Sequence, residues 1–390
     1  MHNSQKEYEL YSSLLLKSTF DEINNSSLST TNDENSIKNE FSFFNFDNSF
    51  YNEKNQIEEI QKLNSKNIKN DNKNLKNHFN EIQKDFNLEE KYIKNLSNKD
   101  QLTVCQIEDI IPKLKGKFFQ LMNGKNSNYL MSELIQNASK KQKFIILSEI
   151  YNQIDILAIN EYGSHPLQTL IEKASSKDEI IMIINAISSR NKLIKIAKNS
   201  NGTYVIQKII SYFNENYRNK INKIILKHFT ELCYNMYGVC IIKKFINTCE
   251  NEQILFSLFS LFIQNFVNIS ENQFGNYAIQ IFIEKIANNE KLFSVFEQTI
   301  TFNFIRLSIN RFGSRVIECF IEKLNRRKKM QLFNCILEMG YLNQIITNKY
   351  GKYVIYKLFN GYENLYNINI RNMISNMNID INNVNNIYIF

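Results

Sequence analysis

Six cysteines (Cys105, Cys233, Cys240, Cys249, Cys319 and Cys335) include no CxxC pair and no histidine at a matching distance, and four histidines are scattered over 390 residues. Such spacing implies neither a zinc site nor a disulfide framework, and no metal or cofactor is expected. The sequence also lacks a P-loop, a GxSxG elbow, an HExxH pair and a Gly-rich nucleotide turn, so nothing in it supports an enzyme. The N-terminus has no basic stretch followed by an apolar one, which argues against secretion. One uncharged run, residues 253–270, has the length of a membrane span, but Ser257, Ser260, Gln264, Asn265 and Asn268 interrupt it. It is expected to form helices between repeats, with no membrane involved.

Glycine is scarce as well, at 10 residues, yet six of the 10 recur at a near-constant interval: Gly163, Gly202, Gly238, Gly275, Gly313 and Gly351, spaced by 39, 36, 37, 38 and 38 residues. A period of that length means stacked structural repeats. Each glycine has an asparagine three residues before it (Asn160, Asn199, Asn235, Asn272, Asn310, Asn348), and five of the six have an aromatic immediately before. Asn201 is the exception. A fainter first copy lies around Ser127.

Counted from each glycine, positions +3, +4, +7 and +8 are apolar, as in Val205, Ile206, Ile209 and Ile210 or Val316, Ile317, Phe320 and Ile321. That is the inward face of a helix. Positions +1 and +5, four apart, lie one above the other and are expected to sit away from the buried stripe. Position +2 stands beside them and reads Asn128, His165, Tyr204, Cys240, Tyr277, Arg315 and Tyr353. A flat side chain next to two hydrogen-bonding groups, once per repeat, suits a single-stranded nucleic acid, whose bases stack on rings or guanidinium planes while their edges are read.

The frames Asn-Gln-Phe-Gly-Asn-Tyr-Ala-Ile-Gln at 272–280 and Asn-Arg-Phe-Gly-Ser-Arg-Val-Ile-Glu at 310–318 resemble the Pumilio, or PUF, repeat. The resemblance covers roughly residues 105–360. It implies an all-α fold, a right-handed α-solenoid forming a curved array, and binding of messenger RNA as a single strand lying antiparallel to the protein. Asn276 and Gln280 with Tyr277 resemble the uracil-reading set, and their two amides match the mixed edge of that base. Ser314 and Glu318 with Arg315 resemble the guanine-reading set; a carboxylate suits the two N–H donors that guanine presents side by side. Ser164 and Gln168 with His165 resemble the adenine-reading pair, and Pro166 falls in the first helical turn, where proline is tolerated.

Other copies depart from the pattern. Thr203 and Gln207 with Tyr204 keep the amide and the ring but leave base identity open. Val239 and Lys243 cannot read an edge in the usual way, although Lys243 can hold a phosphate, and Cys240 stacks poorly. Lys352 and Tyr356 flank Tyr353, which puts the usual 5′ uracil in doubt. In the first copy, Ser127, Asn128 and Met131 are placed at +1, +2 and +5. The order of sets implies an element 5′-N-G-U-N-N-A-N-3′, whose guanine and uracil match the UGU core that the family favours.

Residues 1–100 carry 13 Lys and Arg against 17 Asp and Glu, so the remainder holds an excess of 12 positive charges, which suits a phosphate backbone. The first hundred residues are rich in Asn, Ser, Lys and Glu and read as a mostly disordered tail. The expected domains are a low-complexity tail at 1–85 and a repeat array at 86–390, with a capping helix within 80–100. The aromatic stretch at 41–51 (FSFFNFDNSFY) reads either as a docking motif or as compositional drift. The chain is expected to be a cytoplasmic monomer that regulates messenger RNA through 3′ untranslated regions and recruits protein corepressors. Two other readings stay open: a nucleolar PUF-like protein in ribosome assembly, and a protein-interaction scaffold of the HEAT or armadillo type.

Overall fold

A computed structural model describes residues 104–359, and every regular element among them is helical. The predicted tail at 1–85, the boundary at 85/86, the cap within 80–100 and the aromatic stretch at 41–51 lie outside the described residues.

Seven three-helix units follow one another. The first comprises α1 (Val104–Leu114), α2 (Phe118–Asn123) and α3 (Ser127–Asn137). Next come α4 (Lys140–Ile150), α5 (Ile154–Ile159) and α6 (Ser164–Lys173), then α7 (Lys177–Ile187), α8 (Arg190–Ala197) and α9 (Gly202–Tyr212). The fourth unit is α10 (Asn219–Lys227), α11 (Phe229–Cys233) and α12 (Gly238–Asn247), and the fifth α13 (Glu252–Gln264), α14 (Phe266–Ser270) and α15 (Gly275–Ile286). The last two are α16 (Glu290–Phe302), α17 (Phe304–Ser308) and α18 (Gly313–Lys323), then α19 (Arg326–Glu338), α20 (Leu342–Thr347) and α21 (Gly351–Phe359). The uncharged run at 253–270 is thus α13 and α14 of unit five; no described helix is long and apolar enough to cross a membrane.

The third helices pack each on the next, in the order α3, α6, α9, α12, α15, α18, α21. This makes an α-solenoid, in which each unit buries its apolar stripe against its neighbours. Without tryptophan, phenylalanine fills the seams. Phe262 stacks on Phe282 with centroids 4.5 Å apart and meets Phe229 edge-on at 4.8 Å, which joins units four and five. Phe296 meets Phe282 and Phe266 edge-on, each at 5.5 Å, and carries the seam into unit six. Edge-to-face and offset rings are the arrangements that the aromatic quadrupole favours. Ion pairs also cross between units: Lys192 to Asp155 at 3.2 Å joins units three and two, and a two-pronged pairing of Arg306 with Glu271 at 2.7 and 2.9 Å joins units six and five.

Candidate nucleic-acid interface

The recurring asparagine fixes where the third helices of units two to seven begin. In unit five the Oδ1 of Asn272 accepts from the backbone N–H groups of Phe274 and Gly275 at 2.9 and 3.0 Å, satisfying donors that a helix start leaves without partners. Asn160, Asn199, Asn235, Asn310 and Asn348 do the same in their units. The glycine is required by close approach. A Cβ on Gly202 would stand 2.2 Å from the carbonyl oxygen of Ile196, the residue six places earlier in α8.

In unit one Ser127 occupies the glycine position. Its Oγ donates to the carbonyl of Leu121, again six residues earlier, at 2.7 Å. Asn128 then reaches the carbonyl of Tyr162 in the next unit, as Thr203 reaches that of Tyr237, which makes Asn128 a +1 residue. The sequence register for this copy is therefore one residue out. Met131 falls at +4 and is fully buried, while Tyr129 at +2 and Ser132 at +5 are the positions facing outward. Sequence reasoning missed both because no glycine anchors this copy. The signal was present in the buried stripe Met131, Leu134 and Ile135, which fits +4, +7 and +8 only when Ser127 is the origin.

With that register, the packing of the third helices lines up three rows of side chains. The +2 row is the most exposed: Tyr129 at 75%, Tyr204 at 59% and Tyr277 at 48%, with His165 exposed and Cys240, Arg315 and Tyr353 half-buried. The +1 row is buried in six units, at Asn128, Ser164, Thr203, Val239, Asn276 and Ser314, whereas Lys352 is half-buried. This corrects the expectation that +1 sits away from the core: the N-terminus of each third helix is covered by the next unit, whose backbone carbonyl Thr203 and Asn128 reach. The +5 side chains Gln168, Gln207, Lys243, Gln280 and Tyr356 are half-buried, and Glu318 is buried.

Within a unit, +1 and +5 meet one helical turn apart. The Nε2 of Gln280 donates to Asn276 Oδ1 at 3.0 Å, and that of Gln207 to Thr203 Oγ1 at 3.2 Å. In unit six, Arg315 Nη1 donates to both oxygens of Glu318, at 3.2 and 3.4 Å. Burial raises the Glu318 carboxyl above the ordinary glutamate range, an effect opposed by the charges of Arg315 and Lys357. In unit four Val239 offers no polar group, and the Nζ of Lys243 lies over the ring of Tyr277 in unit five, 5.8 Å from its centroid. Lys352 similarly lies 5.2 Å from the ring centre of its neighbour Tyr353.

Residues 153–188, 192–221, 228–259, 265–296 and 303–337 each match the Pumilio-family RNA binding repeat. These five segments are Pumilio-type repeats. The matched segments leave out the first unit, α4, and the last two helices, α20 and α21, which the structure adds to the array. Suppressor protein MPT5 of Saccharomyces cerevisiae is 27% identical over 148 residues, 36% of this chain and 17% of that protein. Pumilio homolog 12 of Arabidopsis thaliana is 25% identical over 150 residues, 38% of this chain and 25% of that one. This chain thus covers a quarter or less of the length of either relative.

Among solved structures, the RNA-binding domain of yeast Puf5p bound to SMX2 RNA matches 74% of this chain and 85% of its own, with a TM-score of 0.60 and 23% identity. PUF-8 in complex with PBE-RNA matches over 70% and 79%, with a TM-score of 0.61 and 20% identity. At such identities the likeness is one of fold.

Proposed function

We propose that this protein binds single-stranded RNA in a sequence-specific manner, reading messenger RNA through 3′ untranslated elements with a UGU-like core and lowering translation or stability by recruiting protein partners. The observation that carries the reading is the adjacency of two complete sets on packed helices: Tyr277 with Asn276 and Gln280 in α15, and Arg315 with Ser314 and Glu318 in α18. A flat group beside a pair of amides suits uracil, and a guanidinium plane beside a buried carboxylate suits guanine. The solved relative Puf4 is described as bound to an HO endonuclease RNA 3′ UTR recognition sequence, which agrees with the same class of target.

On this reading Ser164, His165 and Gln168 take an adenine, Thr203, Tyr204 and Gln207 take a base of open identity, and Asn128 with Tyr129 and Ser132 meets the 3′ end. Lys352, Tyr353 and Tyr356 meet the 5′ end. The protein acts as a cytoplasmic monomer without catalysis. Crosslinking in cells followed by sequencing of the bound RNA tests this directly. Enrichment of GU-containing elements in messenger 3′ regions is expected; recovery of ribosomal RNA without such enrichment would replace it with a nucleolar role in ribosome assembly.

A further inference from the structure

Unit four differs from its neighbours in all three functional positions. Its +1 residue, Val239, is buried and has no hydrogen-bonding side chain; its +2 residue, Cys240, has no flat face; its +5 residue, Lys243, carries three donors and no acceptor. The adjoining units are complete. Gln207 is joined to Thr203 beneath Tyr204 on one side, and Gln280 to Asn276 beneath Tyr277 on the other. The ammonium of Lys243 does not point at an empty base slot either. It lies 5.8 Å from the centre of the Tyr277 ring, within the range at which a cation is held by an aromatic face.

Lys243 projects from α12 onto the ring carried by the adjacent α15, so in the free protein its charge is held between units four and five and away from a base edge of its own. We propose that unit four is a spacer: Lys243 holds the nucleotide there by its phosphate, and the base immediately 3′ of the G-U pair goes unread. The target is then two read blocks, G-U opposite units six and five and the block ending in adenine opposite units three and two, separated by one nucleotide of any identity. This rests on the RNA-binding reading above and narrows its substrate.

The chemistry is consistent in both states. Without RNA, the ring face stabilises the ammonium; with RNA, the flexible four-carbon stem lets the same charge move to a phosphate, a point-charge contact without sequence information. Both neighbouring blocks keep their own stacking groups, so one unread nucleotide does not break the register of the others.

The test uses the full chain and a set of fluorescent oligonucleotides of the pattern N-G-U-X-N-A-N, in which X is each of the four bases or an abasic residue. A further oligonucleotide carries the abasic residue opposite unit five. Affinities for all five X variants are expected to agree within about twofold, whereas the abasic residue opposite unit five weakens binding by about tenfold or more, because a stacked and edge-bonded base is lost there. Lys243→Ala is expected to reduce the slope of log affinity against log salt by about one without reordering the X variants. Preference for one base at X above about fivefold, or an abasic penalty at X equal to that opposite unit five, overturns the spacer and leaves RNA binding standing. Failure to bind any of the oligonucleotides removes both.

Discussion

Arg315 Nη1 stands 3.2 Å from Oε2 of Glu318, one turn further along α18, so the guanidinium is tethered at the edge of the slot where a guanine would lie. On the proposed reading, the guanidinium plane would stack on that base and the carboxylate would accept from its edge. Replacing Glu318 by Gln puts an amide N–H opposite the guanine donors. Affinity for guanine at that position is expected to fall by about 1–3 kcal/mol, measured by fluorescence anisotropy with RNAs differing at that base alone. The melting temperature should barely move, since Gln is nearly isosteric and removes a charge that burial disfavours. Retained guanine preference in a folded Glu318→Gln protein would show that this face does not read bases.

The raised carboxyl of Glu318 gives two pH effects of opposite sign. Guanine needs the ionised form, so guanine preference is present above the raised pKa and is lost on acidification, at a higher pH than an exposed glutamate would show. Stability runs the other way. A folded-state pKa above the unfolded one adds stability below the unfolded value and loses it as pH rises through the folded one. On acidification from neutral pH to below the ordinary glutamate pKa, the guanine-to-adenine affinity ratio should therefore fall, while the melting temperature of the wild type should gain on that of Glu318→Gln. A ratio that stays flat over that range, or a difference in melting that moves the other way, would remove the assignment of an ionised Glu318 to guanine.

Much of this was legible in the sequence because the array repeats. The Asn-to-Gly spacing located the start of six third helices, and the apolar stripe assigned their buried faces. What the sequence could not supply was the neighbour. Burial of the +1 row comes from the next unit lying over each helix start, as where Thr203 donates to Tyr237 at 3.0 Å across 34 residues. A helical wheel of one unit cannot show that. The placement of Lys243 over Tyr277 is likewise a contact between units, invisible to any single-unit pattern.

The glycine row invites a stability test. Alanine at 202 would put its Cβ 2.2 Å from the Ile196 carbonyl oxygen and 2.9 Å from the side chain of the same residue, and a backbone oxygen cannot rotate away. Gly202→Ala is expected to destabilise the array by about 2–3 kcal/mol in urea or thermal unfolding, the range of other overpacked sites. Asn272→Ala, which leaves two helix-start N–H groups without their acceptor, should cost about 1–2 kcal/mol. A Gly202→Ala protein as stable as the wild type would mean that the units are not held at the observed approach.

Unit one supplies the sharpest check on register, since two neighbouring residues exchange roles between the alternatives. With Ser127 at the glycine position, Tyr129 is 75% exposed on the stacking row and Met131 is fully buried on the core stripe. Tyr129→Ala should then weaken RNA binding by about fivefold or more at the 3′ nucleotide, with little sequence preference and an unchanged melting temperature, because an exposed stacking ring contributes to binding and not to packing. Met131→Ala should do the reverse, lowering stability by about 2–5 kcal/mol through the cavity it leaves while RNA affinity of the folded fraction holds. Under the register read from the sequence alone, Met131 is a base-facing +5 residue and its removal would alter binding more than folding. Circular dichroism melts and anisotropy titrations on these two variants separate the cases, and a Met131→Ala protein of wild-type stability would return the first unit to the register of the sequence.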